Sequence, residues 1–357
     1  MITIFTPSFA DASNTNAQNL TVKELVARLP ADKFRVEMLY SSAPAARIAE
    51  RPNTRLIRWR RRGNSARLLA HCLIRRPDIY FFPREGRLDS AFLWLRRQLR
   101  LQTALVTYVV ATQENGPSSE ILARSIREAD AVVGNSEYVS ETIQQRYGIS
   151  ATTIHSGINK QVFYPPAEGC RALRSQLTVL YAGSFQARKR PQLVIREAAR
   201  WPSVQFRLAG RGELERECHG LVQDLGLRNV EFLGHVPQRE LGEEMRLADV
   251  FLLPSVIEGH PQVLGQAAAS GLPCIAMEVY RPDYVVNAVS GFLIRSEAEL
   301  SEKLAKLLTN TGLRQAMSTA AFEHSMKFDW DRVAELWAKL FESVAARRRC
   351  LGKGDGD

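Results

Sequence analysis

The stretch VFLLPSVIEGHPQVLGQAAASGLPCIA, residues 250–276, decides how the rest of the chain is read. Residues 250–253 form a short apolar run of the length of a buried strand, ended by Pro254. A loop, 255–260, then carries one carboxylate, Glu258, and one glycine, Gly259. From Pro261 the spacing predicts a helix. Val263, Leu264, Ala267 and Ala268 share one face, and a proline suits the first turn, where no amide donor is needed. Gly271 and Pro273 stop that helix, and 274–277 opens the next strand. The order is strand, loop, helix, strand, with an acid beside a helix N-terminus. Such a terminus favours anions, because its first amides have no intrahelical partner and the helix dipole adds to them.

At 357 residues the chain is long for one core and comfortable for two. Its 45% hydrophobic and 24% charged residues are those of an ordinary soluble protein. No apolar run approaches the roughly 20 residues that span a bilayer, and residues 2–5 read as a buried strand, not as the apolar part of a signal segment. The five cysteines, Cys72, Cys170, Cys218, Cys274 and Cys350, are odd in number and widely spaced. They fit neither a disulfide framework nor a zinc site, and a reducing, cytoplasmic setting is expected. The net charge is +10, and its location says more than its size. Residues 51–100 hold fourteen arginines against three acids, a local +11 centred on the run RWRRR at 58–62. No zinc finger, RNA-binding signature or basic zipper accompanies it, so nucleic acid is not expected as a partner. Two readings of the basic half stay open: a solvated face, or contact with an anionic membrane surface on its cytoplasmic side.

Taken in order, the chain alternates strand and helix. Strands are expected at 2–5, 34–40, 54–59, 79–82, 103–110 and 131–135, with helices between them. A polar loop before the first helix holds Ser13, Asn14, Thr15 and Asn16, which either touch a ligand's phosphates or cap the helix. The segment 165–170 reads as a linker. Further strands are expected at 179–183, 204–209, 230–233, 250–253, 274–277 and 292–294, followed by helices at 300–309 and 313–318 and an amphipathic helix from 328 to 344. The Gly210-Arg211-Gly212 triplet lacks the third glycine of a dinucleotide fingerprint, so NAD is rejected. His235 has no carboxylate or histidine at ligand spacing. Asp329 and Asp331 precede an amphipathic run and read as helix capping and first-turn charge. No metal site and no cofactor are expected.

The segment 250–276 resembles the donor-binding signature of family 4 glycosyltransferases, which are retaining enzymes. There, Glu-Gly-Phe-Gly is followed by a second Glu eight positions after the first, then by Ala-x-Ala-x-Gly-x-Pro. Glu258, Gly259, Ala267, Ala269, Gly271 and Pro273 match, whereas Gln266 stands where the second Glu is usual. Residues 132–148 resemble a further family segment, and Gly157, Ile158, Asn159, Phe163 and Pro165 fit a run ending Asn-Gly-Val-Asp-x-x-x-Phe-x-Pro. The resemblance implies an α/β protein of the GT-B fold: two Rossmann-like, doubly wound domains facing across a cleft, with a C-terminal helix crossing back. The expected division is 1–168 for the acceptor, 169–327 for the donor, 328–345 for the crossing helix and 346–357 for a tail.

The resemblance also implies roles. Lys189, at the family's spacing from Gly183, would bind the donor diphosphate with Arg188 beside it, and Glu258 would sit by the donor sugar. Ser184 (where a second arginine is usual), Gly210, His235, Val236, Gly259, His260, Gln262 and Val263 would complete the donor site, with Gln266 near the ribose. Thr112 and Gln113 stand where the family usually has a histidine near the reaction centre. The expected function is transfer of a sugar, with retention, from a UDP- or GDP-type nucleotide-sugar to a glycan, lipid or small-molecule acceptor, without a metal. The competing reading is an inactive binding or scaffold protein of the same fold, favoured by Gln266, Ser184 and the missing histidine.

Overall fold

The computed structural model describes residues 1–13, 17–59, 64–81, 87–110, 117–167, 171 and 175–351. Asn14, Thr15, Asn16, Thr112, Gln113, Arg60, Arg61, Arg62 and Cys170, all singled out above, lie outside the described residues, as does the tail beyond 351. The chain divides into two units: Met1–Gly157 with Trp330–Asp357, and Ile158–Asp329.

The first unit is built on strands β1 (Ile2–Phe9), β2 (Phe34–Tyr40), β3 (Thr54–Arg58), β4 (Ile79–Phe81), β5 (Ala104–Val109), β6 (Ala131–Gly134) and β7 (Thr152–Thr153). They pair in parallel in the order β3-β2-β1-β4-β5-β6-β7. The second unit holds β8 (Thr178–Ala182), β9 (Gln205–Ala209), β10 (Val230–Gly234), β11 (Val250–Leu253), β12 (Cys274–Met277) and β13 (Gly291–Ile294), in the order β10-β9-β8-β11-β12-β13 and again parallel. Each sheet starts near its middle, runs to one edge and restarts on the other side. The switch points lie between β1 and β4 and between β8 and β11. In such sheets the carboxyl ends of the strands at the switch point form the binding crevice. Strands covered on both faces carry near-continuous apolar runs, as do β5, β11 and β12, which are buried along their whole length.

Several sequence expectations are corrected here. β1 does not stop at Phe5. It continues to Phe9 beside β2, with a register shift between Thr6 and Phe9 that accommodates Pro7, which has no amide to donate. The helix after Pro261 spans Gln262–Ala269, so the proline precedes its first turn. The helix expected at 313–318 runs Thr311–Ser325, because the Asn310 side chain accepts from the Leu313 amide (2.9 Å) and caps it. The last helix spans Trp330–Leu351.

The division falls at Gly157, not in the expected linker. Ile158 and Phe163 are buried in the core of the second unit, and the Ile158 amide donates to the Phe328 carbonyl (2.7 Å). The final helix, by contrast, supplies Trp330, Val333, Trp337, Phe341 and Val344 to the core of the first unit. Gly157 lies against it: a Cβ there would come within 2.3 Å of the Trp330 ring. Among the described residues no helix is long and apolar enough to cross a membrane.

Candidate active site

The second unit carries a cavity of about 360 Å³ at the carboxyl ends of its strands. It is framed by the turns after β8, β9 and β10 and by the helix after β11. Three backbone bonds stitch the turns together: Gly183 amide to Ala209 carbonyl (2.9 Å), Gly210 amide to Gly234 carbonyl (2.7 Å) and Phe185 amide to Arg211 carbonyl (2.9 Å). Phe185, 1% exposed, pins the first turn into the core.

This stitching needs glycine. A Cβ on Gly210, whose φ is +143°, would sit 1.9 Å from the Gly183 carbonyl oxygen. Gly210→Ala is therefore expected to cost about 2 kcal/mol or more from backbone strain alone and to deform the cavity. Denaturation midpoint and ligand affinity, measured on the same variant, should fall together. A stable variant with intact binding would contradict this reading.

Of the donor residues expected from sequence, Gly183, Ser184, Gly210, His235, Val236, Val263 and Gln266 line this one cavity. Gly259 and Gln262 stand in the loop and first helical turn beside it. The His260 ring is buried and stacked on Tyr284, with centroids 4.0 Å apart. Ser13, in the first unit, is exposed at a turn. Sequence reasoning missed Arg211 and Leu241, which also line the cavity. The signal for Arg211 was present: it stands between two glycines at a strand's carboxyl end, directly after Gly210, which was itself expected in the donor site.

Lys189, Arg188 and Glu258 come together from segments 69 residues apart. Lys189 Nζ is ion-paired with Glu258 Oε1, and Arg188 Nη1 lies 3.6 Å from Glu258 Oε2 while donating to the Ile257 carbonyl (3.1 Å). The Val256 amide donates to the Arg188 carbonyl (2.9 Å), which ties the two loops together. The Lys189 and Glu258 side chains are only 12% and 8% exposed. Burial lowers the Lys189 pKa, with the Glu258 carboxylate working against that. The cluster adjoins the cavity, since a Cβ on Gly183 would be 3.8 Å from Lys189 Cδ. Tyr181 donates its hydroxyl to the Ser184 carbonyl (3.1 Å), and burial first, then nearby negative groups including Glu258, raises its pKa.

This arrangement offers basic groups (Lys189, Arg188 and Arg211) to an anion, with the start of a helix whose N-cap, Pro261, brings no capping side chain. Among the described residues no group of three or more His, Cys, Asp or Glu side chains could hold a metal ion. Asp331 pairs with Arg28 (3.0 Å) in the first turn of the last helix.

Both units match known families. Residues 172–324 match glycosyl transferases group 1, and residues 18–162 match Glycosyltransferase Family 4. The chain belongs to this family of glycosyltransferases, and its fold is GT-B. Among curated relatives, D-inositol 3-phosphate glycosyltransferase of Streptomyces bingchenggensis is 29% identical over 273 residues, covering 67% of this chain and 60% of that protein. The Corynebacterium jeikeium protein of the same name is 33% identical over 180 residues, covering 46% and 43%. The chain thus spans about 60% or less of the length of these two relatives. Among solved structures, sucrose-phosphate synthase from Thermosynechococcus elongatus superposes with a TM-score of 0.79 at 22% identity, over 97% of this chain and all of that one. Anabaena HepE in complex with UDP and glucose gives 0.76 at 17% identity, over 96% of this chain and all of that one.

Proposed function

We propose that the protein transfers a sugar from a nucleotide-sugar of UDP or GDP type to an acceptor, with retention at the anomeric carbon and without a metal. The observation that carries this is the cavity at the switch point between β8 and β11, lined by seven residues of the donor signature and adjoined by Lys189, Arg188 and Glu258. Departure of a nucleoside diphosphate builds negative charge on its phosphates. Lys189, Arg188 and Arg211, with the helix start at Gln262, would stabilise that charge as it forms. The complex of Anabaena HepE with UDP and glucose agrees with such a donor. The acceptor is expected at the first unit, and inositol phosphate, named in the relatives, is the first to try. A cytoplasmic location is the expectation from the cysteines, and for the basic run 58–62, of which Arg58 and Trp59 are among the described residues, a solvated face and contact with an anionic membrane surface both stay open.

Calorimetry with UDP, GDP and their glucose, N-acetylglucosamine and mannose conjugates tests the donor. Binding of none of them would overturn the proposal. Nuclear magnetic resonance of the product should then show the donor's anomeric configuration. Tight binding with neither transfer nor hydrolysis would favour the inactive binding protein instead.

Gln266 gives a further test. A carboxylate there would accept hydrogen bonds from both ribose hydroxyls, whereas the amide accepts through one oxygen and donates through its nitrogen. Charged hydrogen bonds run about twice as strong as neutral ones, so Gln266→Glu is expected to bind nucleoside diphosphate up to about tenfold more tightly. Lost binding would mean that Gln266 faces something other than ribose.

A further inference from the structure

The first unit has a second cavity, of about 490 Å³, at the amino ends of β4 and β5. That is the edge of the sheet opposite the carboxyl ends, where its switch-point crevice opens. Four guanidinium groups line it: Arg76, Arg100, Arg348 and Arg349. Asp78 is the one acid among the described lining residues. They come from three segments: the residues just after the helices Asn64–Arg75 and Arg87–Gln98, and the last turns of Trp330–Leu351.

The nearby acids are already engaged. Asp78 Oδ1 accepts from Arg349 Nη2 (2.9 Å) and its Oδ2 from the Thr3 amide (2.7 Å). Asp130 takes Arg348 Nη2 (2.7 Å) on one oxygen and Arg96 on the other. Arg76 and Arg100 have no carboxylate partner among the described residues. Both also hold left-handed backbone, with φ of +47° and +46°, at the helix-ending position that glycine usually fills. An arginine there pays backbone strain of about 1–2 kcal/mol, and strain of this kind collects at binding sites. Apolar side chains share the lining with the arginines: Leu99, Leu101 and Ala345.

We propose that this cavity is a binding site for a phosphate group, carried by a small phosphorylated molecule or by a phospholipid headgroup. Two uncompensated guanidinium forks match the paired oxygens of a phosphate, and because Arg348 and Arg96 share the one carboxylate of Asp130 the surroundings keep a further positive charge. The volume suits one such group with the body attached to it. The site is separate from the sugar-transfer residues and does not depend on that reading.

Arg76→Gly/Arg100→Gly on the full chain is the direct test, because glycine relieves the backbone it replaces. The melting temperature should stay level or rise. The charge-matched control is Arg228→Gln/Arg239→Gln, on exposed residues of the second unit. Calorimetry with inorganic phosphate, which has the single phosphate of this site and not the diphosphate expected in the second-unit cavity, tests the soluble source. Co-sedimentation with vesicles of phosphatidic acid in phosphatidylcholine, against phosphatidylcholine alone, tests the lipid. In at least one arm the glycine variant should bind about tenfold or more weakly than wild type while the control does not, since hydrogen bonds to charged groups are worth this much each. Loss in the first arm assigns a soluble ligand, and loss in the second alone assigns a lipid headgroup. Unchanged binding in the glycine variant, equal loss in both double variants, or binding of neither probe to the wild-type chain would overturn the proposal.

Discussion

Lys189→Ala is expected to lower kcat by about a hundredfold or more, the usual effect of removing one preorganised group that meets developing charge. KM should rise far less, because the phosphates carry more charge in the transition state than in the bound donor. The structure adds a second consequence. Lys189 holds Glu258, and without it that carboxylate, 8% exposed, keeps Arg188 at 3.6 Å as its one basic partner among the described residues. Breaking a buried pair from one side costs about 3–5 kcal/mol, so the variant should also melt earlier. The two effects separate in Lys189→Ala/Glu258→Gln, which removes the stranded charge. Stability should return towards wild type while turnover stays low. Turnover that survives in Lys189→Ala, or that recovers with stability in the double variant, would take the lysine out of the chemistry and leave it a structural role.

Trp337→Ala should be the most damaging core substitution in the first unit. Trp337 is 1% exposed, with the rings of Phe81, Tyr108 and Phe341 at 5.0, 5.2 and 5.4 Å. Truncating a buried tryptophan costs about 3–5 kcal/mol through lost transfer energy and the cavity left behind. Against a typical total of about 5–15 kcal/mol that is a large share. For a unit of this size the melting temperature should fall on the order of 10 °C. Scanning calorimetry should show the transition of the first unit moving while that of Ile158–Asp329 stays. An unshifted first transition would mean that the last helix contributes little to this core.

The sequence by itself determined the strands, because parallel strands buried on both faces are largely apolar. Val250–Leu253 and Cys274–Met277, apolar throughout, were legible to the residue, as was Phe34–Tyr40, which carries only Arg35 and Glu37 among apolar residues. Its resemblance to the family pointed to the residues around the second-unit cavity as well, since turn glycines, the helix start and the lysine stand at the family's spacings along the chain. It could not show that Lys189 grips Glu258, nor that Arg211 turns into the same cavity, because loops after different strands meet only when the sheet is assembled. The last helix shows this most clearly. Its amphipathic pattern said that one face is buried and the family resemblance implied that it crosses back, but only the tertiary structure says that the face covers β4 and β5 of the first unit, more than two hundred residues back in the chain. Arg76, Arg100, Arg348 and Arg349 follow the same rule: their charges were countable, but their convergence was not. Periodicity reports how much of a segment is buried. Which segment buries it is decided by the packing of whole layers, where the interacting residues are distant in sequence.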